Sequence, residues 1–407
     1  MAEKRKLKAV YLFPVIAGCG LVGASLGVCV NTIGIFFTPI ANELAIGRGR
    51  ASMLMTVYCI VQAVGGFLSP SLLRRFGIKK LIYAGSFVQI ACTVLLSVCR
   101  SIHPMYALNA LRGFASGVIG TVPVTIMINY WFRERVGLMT SIAMGFSGIV
   151  GAVLSPVIAG IIAAAGWRAA MASCAGWIFL LDLPALVLPL AVRPEDRGLT
   201  PYGRQPEQAS VPAEGETGGR LYPPLVILTL AFAMCCSLTT AMPAHFPGIA
   251  EWRMHPAVGP AMLSVSMVSN TGGKVALGWL VDRVGTRKAA SLFLVLIAAG
   301  ALCLFFAGVP ALLCGAALYG LCYSAATLAA STLSREMFGV ENYGRAYPRT
   351  VLAGTATNAV SASVIGFLYD SSGSYRGALL LMLTALALAL LIVHTAYIKA
   401  KKNRRTE

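Results

Sequence analysis

Apolar residues run along this chain in blocks of twenty or more, separated by short polar stretches, and that spacing sets the first expectation. A helix needs about 20 residues to cross a hydrocarbon core about 30 Å thick. Twelve stretches reach that length, at 10–36, 51–73, 79–99, 104–131, 137–164, 169–192, 222–248, 257–281, 288–308, 310–333, 347–369 and 375–398. The pattern predicts an all-α membrane protein with twelve transmembrane helices. The opening MAEKRKLKAV is basic and leads into an apolar run too long for a cleaved leader, so it is read as the flank of the first span.

A repeat lies inside the pattern. Arg75, Gly77, Lys79 and Lys80, after the second span, stand 208 residues before Arg283, Gly285, Arg287 and Lys288, after the eighth. An offset near half the chain predicts two pseudo-symmetric six-helix halves, 1–192 and 221–407, joined by a polar cytoplasmic linker at 193–220. Parallel repeats of this kind imply a substrate site near the membrane midplane at the repeat interface. The same offset pairs Gln62 with Asn270. It also sets Arg74 against Asp282 and Pro70 against Gly278, so the first copy of the loop is degenerate and the Asp-centred contact is expected only in the second.

Composition agrees with the membrane reading. Hydrophobic residues make up 57% of the 407 and charged ones only 12%, against about a quarter charged in soluble domains. A net charge of +18 would fit a nucleic-acid partner if the cations formed a face, but they follow the membrane instead. With both termini cytoplasmic, 25 of the 33 Lys and Arg fall in inner segments and 6 in outer ones, with Arg112 and Lys274 inside spans. The positive-inside rule makes this an orientation signal, with the lipid bilayer as partner and no nucleic acid. Eleven cysteines are scattered with no CxxC and no histidines at ligand spacing, so no disulfide, metal or cofactor is expected. No nucleophile and base, metal cluster or phosphate loop is present at usable spacing, so an enzyme is not expected.

The candidate chemistry is the polar minority within the spans. Lys274 lies well inside the eighth, where an ammonium is expensive by at least about 2.5 kcal/mol and marks a functional site by default. Its alternative is structural, reaching toward inner-loop carbonyls. Arg112 in the fourth span either snorkels and pairs within the bundle or attracts an anion. Asp182 in the sixth is a local partner beside Pro184 or, less in keeping with its helix, a proton carrier. Asn31, Tyr58, Gln62, Asn270, Tyr323 and Asn358 are the neutral polar groups placed around a ligand. Arg349 is loop or lower cavity, and His245 is interfacial or titrating.

The loop from Gly278 through Trp279, Asp282, Arg283, Gly285, Arg287 and Lys288 resembles the cytoplasmic signature of the major facilitator superfamily of secondary transporters, with Arg75 and Gly77 in its first-half counterpart. Three further stretches, RPEDRGLTPYG at 193–203, GWR at 166–168 and FLYDSSGSY at 367–375, look like the bacterial monocarboxylate porter and oxalate–formate antiporter branch. The resemblance implies a monomeric inner-membrane transporter of a small organic anion, such as a monocarboxylate, working by alternating access as a proton symporter or an anion exchanger. In animal monocarboxylate transporters the eighth span carries an Asp, an Arg four residues on and a Gly four further. Matched by that spacing, Asn270 takes the Asp position, Lys274 the Arg that binds the carboxylate, and Gly278 the Gly. The family's first-span lysine precedes Ser-Ile-Ser-Val-Phe-Phe, and here Asn31 precedes Thr-Ile-Gly-Ile-Phe-Phe. Both proton-coupling positions are therefore neutral amides. The oxalate–formate branch implies a second cation in the eleventh span, for which Arg349 is nearest. Rival readings keep the fold with a neutral or cationic solute, or make the chain a transporter-like sensor.

Overall fold

A computed structural model describes residues 9–132, 136–203 and 222–403. The described residues are almost wholly helical. Ten helices are long and apolar enough to cross a membrane. One of them, Leu138–Val187, is two spans merged across a kink at Gly166, which separates the fifth from the sixth. The eighth helix, Gly259–Val284, has the length but less apolar character. Serines, Asn270, Thr271 and Lys274 fill its middle. Together these make twelve.

Helices meet at single glycines rather than loops in four places. Gly77, Gly166, Gly285 and Gly339 all have positive φ with ψ near extended, and Gly77 (φ 75°, ψ 158°) and Gly285 (φ 81°, ψ 158°) match closely. Only glycine occupies that region without strain. The repeat read from the sequence therefore carries the same backbone turn at both copies.

The chain divides into two compact units, Met1–Leu44 with Val57–Ala209, and Ala45–Thr56 with Ser210–Glu407. In the first unit, the first span packs on the fifth and sixth, and the third packs on the fourth and on the sixth. The second and fourth approach backbone to backbone. A Cβ added at Gly117 would stand 2.1 Å from the carbonyl oxygen of Gln62, and one at Gly65 would stand 2.4 Å from that of Phe114. Small residues of this kind permit the close packing that lipid-embedded helices depend on.

The start of the expected linker docks on this unit. Pro194–Arg197 form one 3-10 turn, Gly198 closes it at φ 66°, and Tyr202 donates its N–H to the Trp131 carbonyl at 2.9 Å. Tyr11 donates to the Thr200 carbonyl at 2.9 Å, and the Trp131 indole donates to that of Ala191 at 3.0 Å. The Tyr202 ring meets Phe132 edge-on and Tyr11 at a tilt. Residues 204–220 of that linker lie outside the described residues. At the unit's other end, Glu43 accepts from the Trp167 indole and pairs with Arg168, which also donates to the Cys99 carbonyl at 2.7 Å.

In the second unit the seventh span, Pro223–Trp252, packs on the eleventh and twelfth, and the eighth packs on the tenth. Residues 45–56 belong to this unit, and side chains hold them there. Asp370 accepts the backbone N–H of Arg48 at 2.8 Å and of Gly49 at 2.7 Å, capping the helix Arg48–Phe76. The Arg48 guanidinium pairs with Glu251, donates to Tyr375 Oη at 3.2 Å and lies 4.4 Å over the Tyr369 ring.

Candidate functional site

In the second unit the eighth helix packs Asn270 and Gly273 against the tenth span, Val309–Gly339. A Cβ at Gly273 would meet Leu321 and the Ser324 hydroxyl, and Ser324 donates to the Asn270 carbonyl at 3.4 Å. Asn270 is 6% exposed, and its side-chain oxygen has no hydrogen-bond partner. One turn on, Lys274 is half-buried and makes no hydrogen bond or ion pair among the described residues. A cation and an amide oxygen thus stand unsatisfied on one helix inside the membrane.

Beyond the tenth span lies a cavity of about 230 Å³, lined from the seventh, tenth and eleventh spans. Residues 325–329 of the tenth wind as a π-helix, a distortion that often accompanies function and here turns Ala326 and Thr327 into the lining. Tyr323, Ser237, Thr240, Thr355 and Asn358 supply polar groups. Thr240 donates to Asn358 Oδ1 at 3.0 Å, which fixes the amide's orientation. Apart from the phenols of Tyr323 and Tyr347, the lining holds no ionisable side chain. Of the residues expected from sequence, Tyr323 and Asn358 line this cavity; Lys274 and Asn270 sit on the neighbouring helix and do not. Arg349 is exposed at the start of the eleventh span, next to Thr350 in the lining. His245 is 2% exposed with its Nε2 2.9 Å from the Ala362 carbonyl, so it is a core residue rather than an interfacial one.

The other expected residues lie in the first unit, where each has internal partners. Tyr58 is 1% exposed, donates to the Ser25 carbonyl at 2.8 Å and has its hydroxyl 2.6 Å from Ser116 Oγ, to which Gln62 also donates at 2.8 Å. Asn31 donates to the Ser147 carbonyl at 3.0 Å. Arg112 is buried, donates to Asn109 at 2.8 Å and to Thr93 at 3.4 Å, and lies 5.3 Å over the Tyr58 ring. Its partners are neutral, which leaves its charge uncompensated by any described carboxylate contact.

In the signature loops, Arg283 stacks over Trp279 and Arg75 over Phe76, while the Asp282 side chain lies outside the described residues. Gly285 starts the ninth helix, whose Thr286 donates to Glu336. Ser237 and Thr350 in the cavity escaped the sequence reading, because small hydroxyls in apolar runs usually bond their own helix.

A family model described as Major Facilitator Superfamily matches residues 19–252 and 227–407, nearly the whole chain. The chain belongs to the major facilitator superfamily. Among its relatives in this superfamily, monocarboxylate transporter 12 of Xenopus laevis is 22% identical over 90% of this chain and 84% of its own. Its rat counterpart is 23% identical over 97% and 86%. A shorter stretch, 39% of this chain and 34% of the relative, is 28% identical to the "Probable sulfoacetate transporter SauU" of Cupriavidus necator. Among solved structures, the nucleoside transporter NupG superposes with a TM-score of 0.72 over 96% of this chain and 99% of its own, at 11% identity. That likeness concerns the twelve-helix fold. The superfamily's members named here are transporters, and nothing in them points to catalysis.

Proposed function

We propose that the protein is a secondary active transporter of a small organic anion, a monocarboxylate in the first instance, with Lys274 as the carboxylate-binding cation. The observation that carries this reading is Lys274 itself, half-buried in a membrane helix with no partner among the described residues. A substrate carboxylate supplies the missing counter-charge, and the neutral pair crosses the membrane at lower cost than either ion. The Asn270 amide, one turn away, has donors for the substrate's second oxygen or hydroxyl. The names of the full-length relatives, monocarboxylate transporters, support the substrate class. Movement follows alternating access of two six-helix halves, with both termini cytoplasmic.

The test is uptake of labelled lactate into proteoliposomes, with and without an inward proton gradient and with unlabelled lactate inside. Accumulation driven by the gradient identifies symport, and uptake only against internal lactate identifies exchange. Lys274→Gln lowers either by at least about tenfold, equivalent to about 1.4 kcal/mol of lost binding, while its melting temperature stays near that of the parent. Unchanged uptake by this variant would sink the assignment.

One observation favours a second reading. The 230 Å³ cavity is lined by hydroxyls and an amide rather than by charge, which suits a neutral polar solute. Competition separates the two: nucleosides or sugars that block lactate uptake without being carboxylates would move the substrate class.

A further inference from the structure

The first unit holds a buried polar group that the carboxylate site does not use. Asp182, on the sixth span, is 0% exposed, and neither carboxylate oxygen has a hydrogen-bond partner. The side chain facing it is Ser86 of the third span, Ile78–Val98, whose hydroxyl is also buried and unpartnered. One turn further along the same buried face, both amide atoms of Gln89 are unpartnered at 0% exposure. The next turn carries Thr93, which receives Arg112. Three side chains with unused hydrogen-bonding capacity therefore stand on facing helices.

An ionised carboxylate offers about four acceptor sites, and at Asp182 none is filled. Leaving such an anion bare in an apolar bundle costs several kcal/mol, whereas the neutral acid needs one acceptor for its O–H. Ser86 Oγ is the hydroxyl facing it. The cations nearby are committed elsewhere. Lys79, on the third span, donates to the Ala185 and Leu186 carbonyls at 3.1 and 2.9 Å, where a cation suits a helix C-terminus. Arg112, on the fourth span, is held by Asn109 and Thr93. Other titratable groups on packed elements include Tyr11, Cys19 and Cys29 of the first span, Lys80, Tyr83 and Cys92 of the third, and Arg168 and Cys174 on the sixth itself. Cys29 lies within the electrostatic reach of both Asp182 and Arg112. Tyr83 donates to the Leu186 carbonyl at 3.0 Å and is half-exposed.

We propose that Asp182 is the proton-binding site of this transporter, holding its proton against Ser86 and releasing it to water. The proposal rests on the proton-coupled form of the reading above. The carboxyl O–H breaks, water takes the proton as hydronium, and the remaining carboxylate shares the interior of the first unit with the buried Arg112 guanidinium. The interior of the first unit thereby alternates between one net positive charge and none. The coupling proton and the substrate carboxylate are bound by different residues on different helices.

Two measurements on the full-length protein test this. Infrared spectra of the reconstituted protein should contain the carbonyl stretch of a protonated carboxylic acid, shifting in heavy water, and Asp182→Asn should remove it. In proteoliposomes, Asp182→Asn should retain lactate counterflow, which needs no net proton movement, while gradient-driven accumulation falls to the level reached without a gradient. Full gradient-driven accumulation by Asp182→Asn, accumulation that follows sodium rather than protons, or a wild-type spectrum lacking the band each overturns the proposal. If the wild type moves no lactate in either assay, the carboxylate reading fails, and the infrared band still decides the proton site. Should Asp182→Asn not assemble, Ser86→Ala keeps the carboxyl and should shift the pH at which its band disappears. A band unmoved by that change overturns the pairing.

Discussion

Gly117 shows how little space separates the second and fourth spans. A methyl group there would overlap the Gln62 carbonyl at 2.1 Å, and backbone cannot yield as a side-chain tip can. Gly117→Val is expected to destabilise by about 1–3 kcal/mol, the usual range for overpacking, and to lower the melting temperature in detergent. Gly145, whose added Cβ would meet nothing within 4 Å, is the control and should tolerate alanine. At this scale the sequence was informative where a residue is costly in itself. Lys274 and Asp182 stand out because charge in an apolar run needs a reason. What they touch was not legible, since Ser86 and Asp182 are 96 residues apart in sequence and only the packing of the third helix on the sixth brings them together. Tyr58 and Gln62 looked like ligand groups for the same reason. The composition of a span does not reveal that Ser25 and Ser116 already occupy them.

Between elements, the stretches that carried the family resemblance turn out to hold helix ends. FLYDSSGSY supplies Asp370 as a cap and Tyr369 and Tyr375 as a cradle for Arg48; GWR supplies the kink and the partners of Glu43; RPEDRGLTPYG supplies Tyr202, whose N–H meets the Trp131 carbonyl and whose ring meets Tyr11 and Phe132. Asp370→Ala is expected to cost about 0.5–2 kcal/mol, as loss of a helix cap does. Hydrogen exchange read by mass spectrometry should quicken at amides 48–52 and stay unchanged in the ninth helix. The Glu43 clasp adds a pH dependence. Its hydrogen bond to Arg168 holds the Glu43 carboxyl below its ordinary range. A lowered folded value means that the stabilisation is present above the unfolded carboxylate range and is lost as pH falls through the folded one. Exchange at amides 166–168 should therefore accelerate on acidification, and Glu43→Gln should flatten that response. The Glu43 and Asp370 clasps escaped the sequence reading because their partners are separated by 124 to 322 residues, far beyond any local pattern.

For the whole molecule, the broad architecture was legible because hydrophobic length and charge asymmetry act over many residues at once. Twelve spans and a 208-residue repeat survive an error of several residues at any boundary. The distribution of basic residues leads to one further expectation. Green fluorescent protein fused after Glu407 should fluoresce, and alkaline phosphatase fused at the same point should be inactive; the reverse result would invert the proposed orientation. The four single-glycine joints, at 77, 166, 285 and 339, have a consequence for the gene as well as for the fold. Any L-residue placed there enters a backbone region that costs about 1–3 kcal/mol, whatever its size or polarity. In a saturation mutagenesis library selected for growth on the transported compound, these codons should therefore reject alanine as firmly as tryptophan, a mark of backbone selection in a chain otherwise tolerant of exchange among apolar residues.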